Sequence, residues 1–192
     1  MIVGVTGNTG TGKTVICELF KELGAHLISC DELGWEVLKE PHIIKQITDK
    51  FKEAIEDGEV KREKLGTIVF GNQDKLKTFN EIVRPPLLKR LKDAIESSGK
   101  KTVVVDGALI FEWRIENWFD CIILLISTLE DKKKRLKAKG LSEAMIKGRL
   151  DSQEDSNRFV KYSDFIIEND GDLKSLENNA RWLWDKTTKR KK

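Results

Sequence analysis

Eight residues near the start of the chain have the types and the spacing that bind a nucleotide phosphate, and they are Gly7-Asn8-Thr9-Gly10-Thr11-Gly12-Lys13-Thr14. They fit the pattern G-x-x-x-x-G-K-[ST] at every fixed position. The glycines let successive backbone N–H groups turn toward one anion, and a helix that begins there adds the positive end of its dipole. Lys13 would then meet the β- and γ-phosphates, and the Thr14 hydroxyl would hold Mg²⁺.

The elements that would position this loop are a strand before it and a helix after it. Residues 1–6 form a short apolar run, and residues 15–23 carry apolar side chains at helical spacing. This agreement disfavours the alternative, a glycine-rich turn that binds nothing. Further apolar runs predict four more short strands, at residues 26–30, 102–105, 121–126 and 164–168. Short strands that alternate with helices predict a three-layer α/β fold around a five-stranded parallel sheet.

A long stretch between the second and third predicted strands has a different character. From Pro41 to about Ser98 the chain is charged and helical in period, and it has no β-rich run. Within it Asp57-Gly58 predicts a turn, and one helical face ends before Pro85-Pro86. We therefore expect a helical insertion that covers the ligand crevice at the carboxyl edge of the sheet.

The phosphate loop alone does not choose among ATPases, GTPases, nucleotide-dependent switches and small-molecule kinases. No N-K-x-D motif for reading a guanine base occurs in the chain, which disfavours a GTPase. A small-molecule kinase needs a carboxylate near the acceptor hydroxyl, a part that covers the acceptor, and a mobile basic segment. The candidates are Asp31 at the end of the second predicted strand, the insertion, and a lysine- and arginine-rich segment with one predicted helix from about Ser142 to Val160.

These features predict one domain over residues 1–192. Its parts would be a core of residues 1–40 and 99–192, an acceptor-binding insertion of about 41–98, and a lid of about 135–158. The basic end, residues 186–192, is predicted as a solvated terminus.

Composition limits the classes of partner. The 35 Lys and Arg residues nearly balance the 32 Asp and Glu residues, so the net charge of +3 does not favour a nucleic acid or a membrane surface. No apolar run approaches the roughly 20 residues of a membrane span, and no leader precedes the first strand, which predicts a cytoplasmic protein. Cys17, Cys30 and Cys121 are widely spaced and odd in number, a pattern that supports neither a disulfide framework nor a zinc site.

Several motifs, in order along nearly the whole chain, resemble those of the dephospho-coenzyme A kinase family. After the loop, Gly58 to Phe70 is similar to the family's "G-x-(apolar)-x-R-x-x-L…(I/V)-F" signature, and Val105 to Glu112 is similar to "D-x-P-L-L-(F/Y)-E". Farther on, Arg149 to Gln153 is similar to "R-I-x-x-Q", and Ser163 to Asn169 is similar to "A-D-x-x-I-x-N". The resemblance implies a P-loop kinase fold and the reaction of ATP with 3′-dephospho-coenzyme A to give ADP and coenzyme A.

The resemblance also implies roles for individual residues. Asp31 would accept the proton of the acceptor's ribose 3′-hydroxyl, although a cap for the following helix is an alternative role. Asp106 would be linked to the metal with Thr14 or would position a loop, and the alternative is a buried carboxylate of a turn. The cations implied at the moving phosphoryl group are Lys13, Arg135, Lys139 and Arg149. Asn169 would border the adenine of ATP.

On the acceptor side, the residues implied in binding are Asp31, Trp35, Arg62, Arg84, Asp106 and Glu112. Arg62 and Arg84 would meet the phosphates or the adenine end of the acceptor, or else face solvent. Trp35 follows Asp31 by four residues, so on a helix it shares that face and would stack on the acceptor or simply pack.

Four positions depart from the family pattern. Ser29-Cys30-Asp31 stands in place of Asp-x-Asp, Arg84-Pro85 in place of His-Pro, Ala108 in place of a proline, and Trp35 in place of a His or Arg. The open alternatives are a P-loop kinase for a nucleoside, a nucleotide or shikimate, and a non-catalytic nucleotide-binding regulator. The expected partner is a small molecule, with ATP and Mg²⁺ as cofactors and with a monomeric or weakly associating chain.

Overall fold

The structure of the protein, a computed structural model, describes residues 1–189, so the last three residues of the predicted basic terminus lie outside the described part. The strands are β1 (Ile2–Thr6), β2 (His26–Ser29), β3 (Ile55–Glu56), β4 (Glu59–Val60), β5 (Val103–Asp106), β6 (Cys121–Ile126) and β7 (Phe165–Glu168). The α-helices are α1 (Lys13–Glu22), α2 (Cys30–Val37), α3 (Pro41–Lys50), α4 (Arg62–Phe70), α5 (Gln73–Ser97), α6 (Leu129–Ala138), α7 (Glu143–Asp151) and α8 (Leu173–Lys189).

The five longer strands form one sheet in the order β2-β5-β1-β6-β7. Every neighbouring pair in it is parallel, which confirms the predicted five-stranded parallel sheet. Parallel sheets are covered on both faces, and this is why β6 is an unbroken apolar run rather than an alternating one. The strand order places β1, which the phosphate loop follows, in the centre of the sheet.

Helices cover the sheet on both sides, as the three-layer prediction requires. On one face Val104 and Ile123 pack with Phe20 of α1 and Ala180 of α8. On the other face a second buried cluster joins residues of β2, β5 and β6 to Leu91 of α5 and to the segment after β5. The alternation of strand side chains between the two clusters follows from the period of two in a β-strand.

The insertion has a core of its own. Buried side chains of α2, α3, α4 and α5 form a third cluster, which includes Ile47, Leu65 and Leu87. Contrary to the all-helical expectation, β3 and β4 pair as a small antiparallel hairpin. The turn predicted at Asp57-Gly58 makes this possible, because φ is 52° at Asp57 and 78° at Gly58, the pair of positive values that a two-residue hairpin turn requires.

Helix α5 continues beyond the point where the helical face was expected to end. It contains Pro85 and Pro86 and runs on to Ser97. Each proline removes one backbone hydrogen bond and costs about 3 kcal/mol or more in a helix interior. The helix continues because Val83, Leu87 and Leu91 lie one turn apart on one buried stripe, and each buried side chain contributes about 1.5–3 kcal/mol.

The helix predicted from Ser142 to Val160 is two segments instead. Helix α7 ends at Asp151, and a 3₁₀ segment runs from Ser156 to Tyr162. The break has a local cause, because the Asp155 side chain accepts a hydrogen bond from the Asn157 N–H and so caps the second segment. The break also brings residues 153–156 against the phosphate loop, where Gln153 and Ser156 form hydrogen bonds with loop residues.

No helix within residues 1–189 is both long enough and apolar enough to cross a bilayer. Cys17 and Cys121 are buried in the cluster around β1, as small core residues are. Cys30 is buried in the cluster on the opposite face of the sheet.

Candidate active site

The phosphate loop has a backbone that only glycine adopts without strain. Gly7, Gly10 and Gly12 have φ values of 135°, 82° and 97°. A Cβ atom on Gly7 would lie 2.2 Å from the Leu125 carbonyl oxygen, and one on Gly12 would lie 2.4 Å from Asn169 Nδ2. Helix α1 begins directly after Gly12 with no side-chain cap, so its first N–H groups are open to an anion.

Lys13 is held by the loop itself. Its Nζ donates hydrogen bonds to the carbonyl oxygens of Gly7 at 2.7 Å and Asn8 at 3.2 Å. Burial lowers the pKa of Lys13, and the charges of Asp106 and Asp31 oppose that shift. Both carboxylates therefore lie close enough to act on the ammonium group, which places Lys13 and the two acids in one electrostatic neighbourhood.

One side of the loop is fixed by Arg135 and Asn169. Asn169 is buried, and its Nδ2 donates to the Thr11 carbonyl at 2.8 Å. The Arg135 guanidinium donates to the Asn169 carbonyl at 2.8 Å, to Ser127 Oγ at 2.8 Å and to the Gly10 carbonyl at 3.3 Å. In this structure Arg135 thus holds the loop through the Gly10 and Asn169 carbonyls, whereas the resemblance implied a cation of the lid.

The other side of the loop is fixed by residues to which sequence analysis assigned no role. Gln153 Oε1 accepts a hydrogen bond from the Thr9 N–H at 2.7 Å, and the Glu154 carbonyl accepts one from Asn8 Nδ2 at 3.0 Å. The buried Ser156 hydroxyl donates to Asn8 Oδ1 at 2.5 Å. Gln153 ends the matched "R-I-x-x-Q" segment, which was the available signal, whereas nothing in the local sequence marks Ser156.

Asp106 ends β5 beside the loop. In the sheet register it lies opposite Val5 on one side and Ser29 on the other. Its pKa is raised by burial and further by Asp31, while Lys13 and Lys139 lower it. Lys139 is exposed at the end of α6, so the basic segment places one positive charge within electrostatic reach of both Lys13 and Asp106.

Asp31 lies in the first turn of α2 and not at the end of β2, which stops at Ser29. The strand is shorter than predicted because the Ser29 Oγ caps the helix and accepts a hydrogen bond from the Glu32 N–H at 3.3 Å. Ser29 therefore takes the capping role that was the alternative for Asp31. The exposed Asp31 carboxylate accepts no hydrogen bond from residues 1–189, so its oxygens are available to a ligand.

The donor set near the loop suits Mg²⁺. The Asp106 carboxylate accepts no hydrogen bond from the described residues, and the Thr14 side chain is exposed at the start of α1. Residues 1–189 contain no cluster of three or more His, Cys, Asp or Glu that could hold a metal by itself. Mg²⁺ commonly binds through one or two protein oxygens together with phosphates and waters, so Thr14 and Asp106 fit it without a full protein cage.

Glu112 is a second perturbed carboxyl group beside the crevice. Its Oε1 is buried and has no hydrogen-bond partner. Burial raises the pKa of Glu112 to about 7, with a further contribution from Glu154 and an opposing one from Lys13. Arg84 holds the same segment, because its guanidinium donates to the carbonyl oxygen of Trp113 at 2.7 Å.

Arg62 and Arg149, the remaining predicted cations, each lie against an aromatic ring. The Arg62 guanidinium lies over the half-buried Trp35 ring, 3.9 Å from its centroid. The Arg149 guanidinium lies 5.4 Å from the centroid of Phe70, and its Nε is buried without a hydrogen-bond partner. Arg62 belongs to the insertion, and Arg149 belongs to the basic segment that contacts it.

A polar recess of about 300 Å³ lies at the carboxyl ends of β6 and β7. Its lining includes Ser127, which bonds to Arg135, and Ser156, which bonds to Asn8. Glu168 and Asp170, the two neighbours of Asn169 in the chain, also line it. The recess therefore lies beside the phosphate loop, because Ser156 bonds to Asn8 of the loop and Ser127 bonds to Arg135.

The amino-acid sequence is similar to those of known proteins over nearly the whole chain. The dephospho-CoA kinase family model matches residues 1–175. A dephospho-CoA kinase of Carboxydothermus hydrogenoformans is 32% identical over 98% of each chain. A dephospho-CoA kinase of Dehalococcoides mccartyi is 34% identical over 95% of each chain.

Solved structures agree with the fold. A crystal structure from Thermus thermophilus has a TM-score of 0.79 at 25% identity and covers 97% of both chains. A shikimate kinase from Acinetobacter baumannii has a TM-score of 0.57 at 15% identity and covers 99% of this chain and 97% of its own, which is a likeness of fold alone. The P-loop kinase fold is thereby confirmed, and with the family match it follows that the chain belongs to the dephospho-CoA kinase family.

Proposed function

We propose that the protein transfers the γ-phosphoryl group of ATP to the ribose 3′-hydroxyl of dephospho-coenzyme A, giving ADP and coenzyme A. The observation that carries this proposal is that Lys13, which the Gly7 and Asn8 carbonyls hold at the phosphate loop, lies within electrostatic range of Asp106 and Asp31. A phosphate-binding lysine with two carboxylates within its electrostatic range supplies the charges that phosphoryl transfer to an alcohol needs. Membership of the family supplies the identity of the acceptor.

Asp31 is the proposed general base. An alcohol is a weak nucleophile, and a carboxylate that accepts its proton makes the oxygen more reactive. In the proposed step the 3′-oxygen forms a bond to the γ-phosphorus, the bond from that phosphorus to the β–γ bridging oxygen breaks, and the hydroxyl proton moves to Asp31. Asp31 suits this role because it is exposed and accepts no hydrogen bond from residues 1–189.

Lys13, Lys139 and Arg149 are proposed to neutralise charge on the moving phosphoryl group. Lys13 is already held at the loop, and the charge of Lys139 reaches both Lys13 and Asp106. Arg135 contributes by holding the loop through the Gly10 carbonyl. Thr14 and Asp106 would hold Mg²⁺, which supplies further positive charge to the phosphate oxygens when it is bound.

The insertion is proposed to hold the acceptor. Arg62 presents a positive charge to the phosphates of the acceptor, and Trp35 supports that side chain. Glu112 offers a buried oxygen to a hydrogen-bond donor of the acceptor, and Arg84 holds the segment that carries it. Asn169 is proposed to border the adenine of ATP, because residues on both sides of it line the polar recess.

The test is ADP release by purified protein with Mg²⁺-ATP and a panel of acceptors that contains dephospho-coenzyme A, shikimate, gluconate and deoxyadenosine. We expect turnover with dephospho-coenzyme A and loss of nearly all of it in Lys13→Ala. Turnover with another acceptor instead would replace the proposed substrate. ATP binding without any acceptor-dependent turnover would favour the nucleotide-binding regulator.

A cytoplasmic location, the absence of a nucleic-acid partner and a monomeric or weakly associating state stay predictions of the sequence. So do the lid of about 135–158 and the other domain boundaries.

A further inference from the structure

The contact between Trp35 and Arg62 suggests a role for the tryptophan that differs from direct stacking on the acceptor. The Arg62 guanidinium carbon is 3.9 Å from the centroid of the Trp35 ring, so one face of that ring is covered by the guanidinium. A cation in this position is attracted to the π-electrons of the ring. The face that contacts Arg62 is therefore not free to stack on the adenine ring of the acceptor.

Trp35 is supported by the core of the insertion. It packs against the buried cluster of the insertion, to which α2, α4 and α5 contribute. It lies one helical turn after Asp31, so the ring and the carboxylate share a side of α2. Trp35 therefore shares a side of α2 with Asp31, the proposed general base, and also contacts Arg62, the first residue of α4.

Arg62 keeps its hydrogen-bonding edge open. Its side chain is exposed, and none of its N–H groups donates to an atom of residues 1–189. Glu36, next to Trp35, pairs instead with Lys39 at 2.6 Å. A guanidinium that stacks by its flat face still presents its N–H groups at the edge, in the fork that matches an oxyanion such as phosphate.

We propose that Trp35 is a positioning residue, which holds Arg62 flat so that the guanidinium edge receives a phosphate oxyanion of the acceptor. This proposal rests on the proposed function and adds how the acceptor's phosphates are brought to the side of Asp31. A lysine at position 62 lacks the planar group, so it keeps the charge but loses the orientation. Trp35 thus belongs to the acceptor site through its contact with Arg62.

The experiment measures KM for dephospho-coenzyme A, KM for ATP and kcat in five variants. They are Trp35→Ala, Trp35→Phe, Arg62→Ala, Arg62→Lys and the double variant Trp35→Ala/Arg62→Ala. We expect Trp35→Ala to raise the acceptor KM about tenfold with little change in the ATP KM, and Trp35→Phe to restore it, because Phe keeps a flat face. Arg62→Ala and Arg62→Lys should both raise it by about ten- to a hundredfold.

The double variant separates positioning from direct contact. If Trp35 acts through Arg62, Trp35→Ala should raise the acceptor KM by less than about twofold when residue 62 is already alanine. Lys64→Ala is the matched control, since it removes a charge from the same turn of α4 where Lys64 is paired with Glu56. The acceptor KM of that variant should stay within about twofold of the wild-type value.

Several results would overturn the proposal. An equal effect of Trp35→Ala with and without Arg62 would mean that the ring contacts the acceptor itself, and a wild-type KM in Arg62→Lys would mean that charge alone suffices. The second result decides the matter even if Trp35→Ala fails to fold. No turnover of dephospho-coenzyme A by the wild type would overturn the proposed function and this role with it, whereas turnover with unchanged KM values in the variants overturns only the role.

Discussion

At the scale of single residues, the site is defined by which charges have partners in the protein and which do not. Lys13 is bonded to two loop carbonyls, and Arg135 is bonded on three sides. The Asp31 carboxylate, in contrast, accepts no hydrogen bond from residues 1–189. A polar group that the fold leaves unpartnered at the mouth of a phosphate loop is available to the substrate.

Replacing Asp31 by Asn tests the base. The amide keeps the size of the side chain but cannot take the hydroxyl proton, so we expect kcat to fall by roughly a hundredfold or more while KM for ATP changes little. Steady-state kinetics with dephospho-coenzyme A and ATP measures both quantities. The control is Glu32→Gln, which removes the neighbouring exposed carboxylate on α2, and an unchanged kcat in Asp31→Asn would exclude the base role.

At the scale of elements, the insertion and the basic segment meet at one glycine. A Cβ atom on Gly148, in the middle of α7, would lie 2.7 Å from the Phe70 carbonyl oxygen at the end of α4. The next residue, Arg149, lies with its guanidinium over the Phe70 ring. The absence of a side chain at Gly148 therefore allows the close approach that places Arg149.

Gly148→Ala should separate the two helices. Alanine gains about 1 kcal/mol of helix propensity, but overpacking against a backbone atom costs about 1–3 kcal/mol, so the free energy of unfolding should not rise. Displacing Arg149 should lower kcat about tenfold, because small errors of position are costly in catalysis. Thermal unfolding and kinetics of the same preparation measure both effects.

Gly66→Ala in α4 is the matched control for this substitution. Its added Cβ would meet only Phe70 ring atoms at 3.8 Å, an ordinary contact, so the propensity gain should appear as higher stability without loss of activity. Equal stability gains in both variants, with kcat unchanged, would show that the contact between α4 and α7 does not position Arg149.

At the scale of the whole molecule, the stability of the fold should depend on the protonation of Glu112. Burial raises the pKa of Glu112 from its ordinary value of 4.5 to about 7 in the folded protein. The folded state therefore binds more protons than the unfolded chain between about pH 4.5 and 7. The free energy of unfolding should fall as pH rises through that window, and the contribution should be constant below and above it.

Glu112→Gln should remove this contribution, because glutamine does not titrate. Urea unfolding at pH 5 and pH 8 should show a smaller loss of stability in the variant than in the wild type, while Glu63→Gln, at an exposed position on α4, should follow the wild type. An equal loss of unfolding free energy between pH 5 and pH 8 in the wild type and in Glu112→Gln would contradict a raised pKa of Glu112 in the folded protein.

The sheet and the loop were predictable from the sequence because their signals are local. The run Cys121–Ile126 is apolar throughout, and the loop pattern requires residues that are adjacent in the chain. The hairpin at Asp57-Gly58 was predicted as a turn but not as strands, because two-residue strands such as β3 and β4 are too short to show a period. The passage of α5 through Pro85 and Pro86 depends on burial of one face, which local propensity does not contain.

The sequence by itself determined the parallel α/β fold, the phosphate loop and, through several ordered motifs, the family. These follow from chemistry within short segments, where each residue constrains its neighbours. The tertiary structure alone decided which side chains meet: Ser156 with Asn8, Arg135 with the loop, and Arg62 with Trp35. Those partners are far apart in the chain, and packing of the insertion and helices onto the sheet is what brings them together.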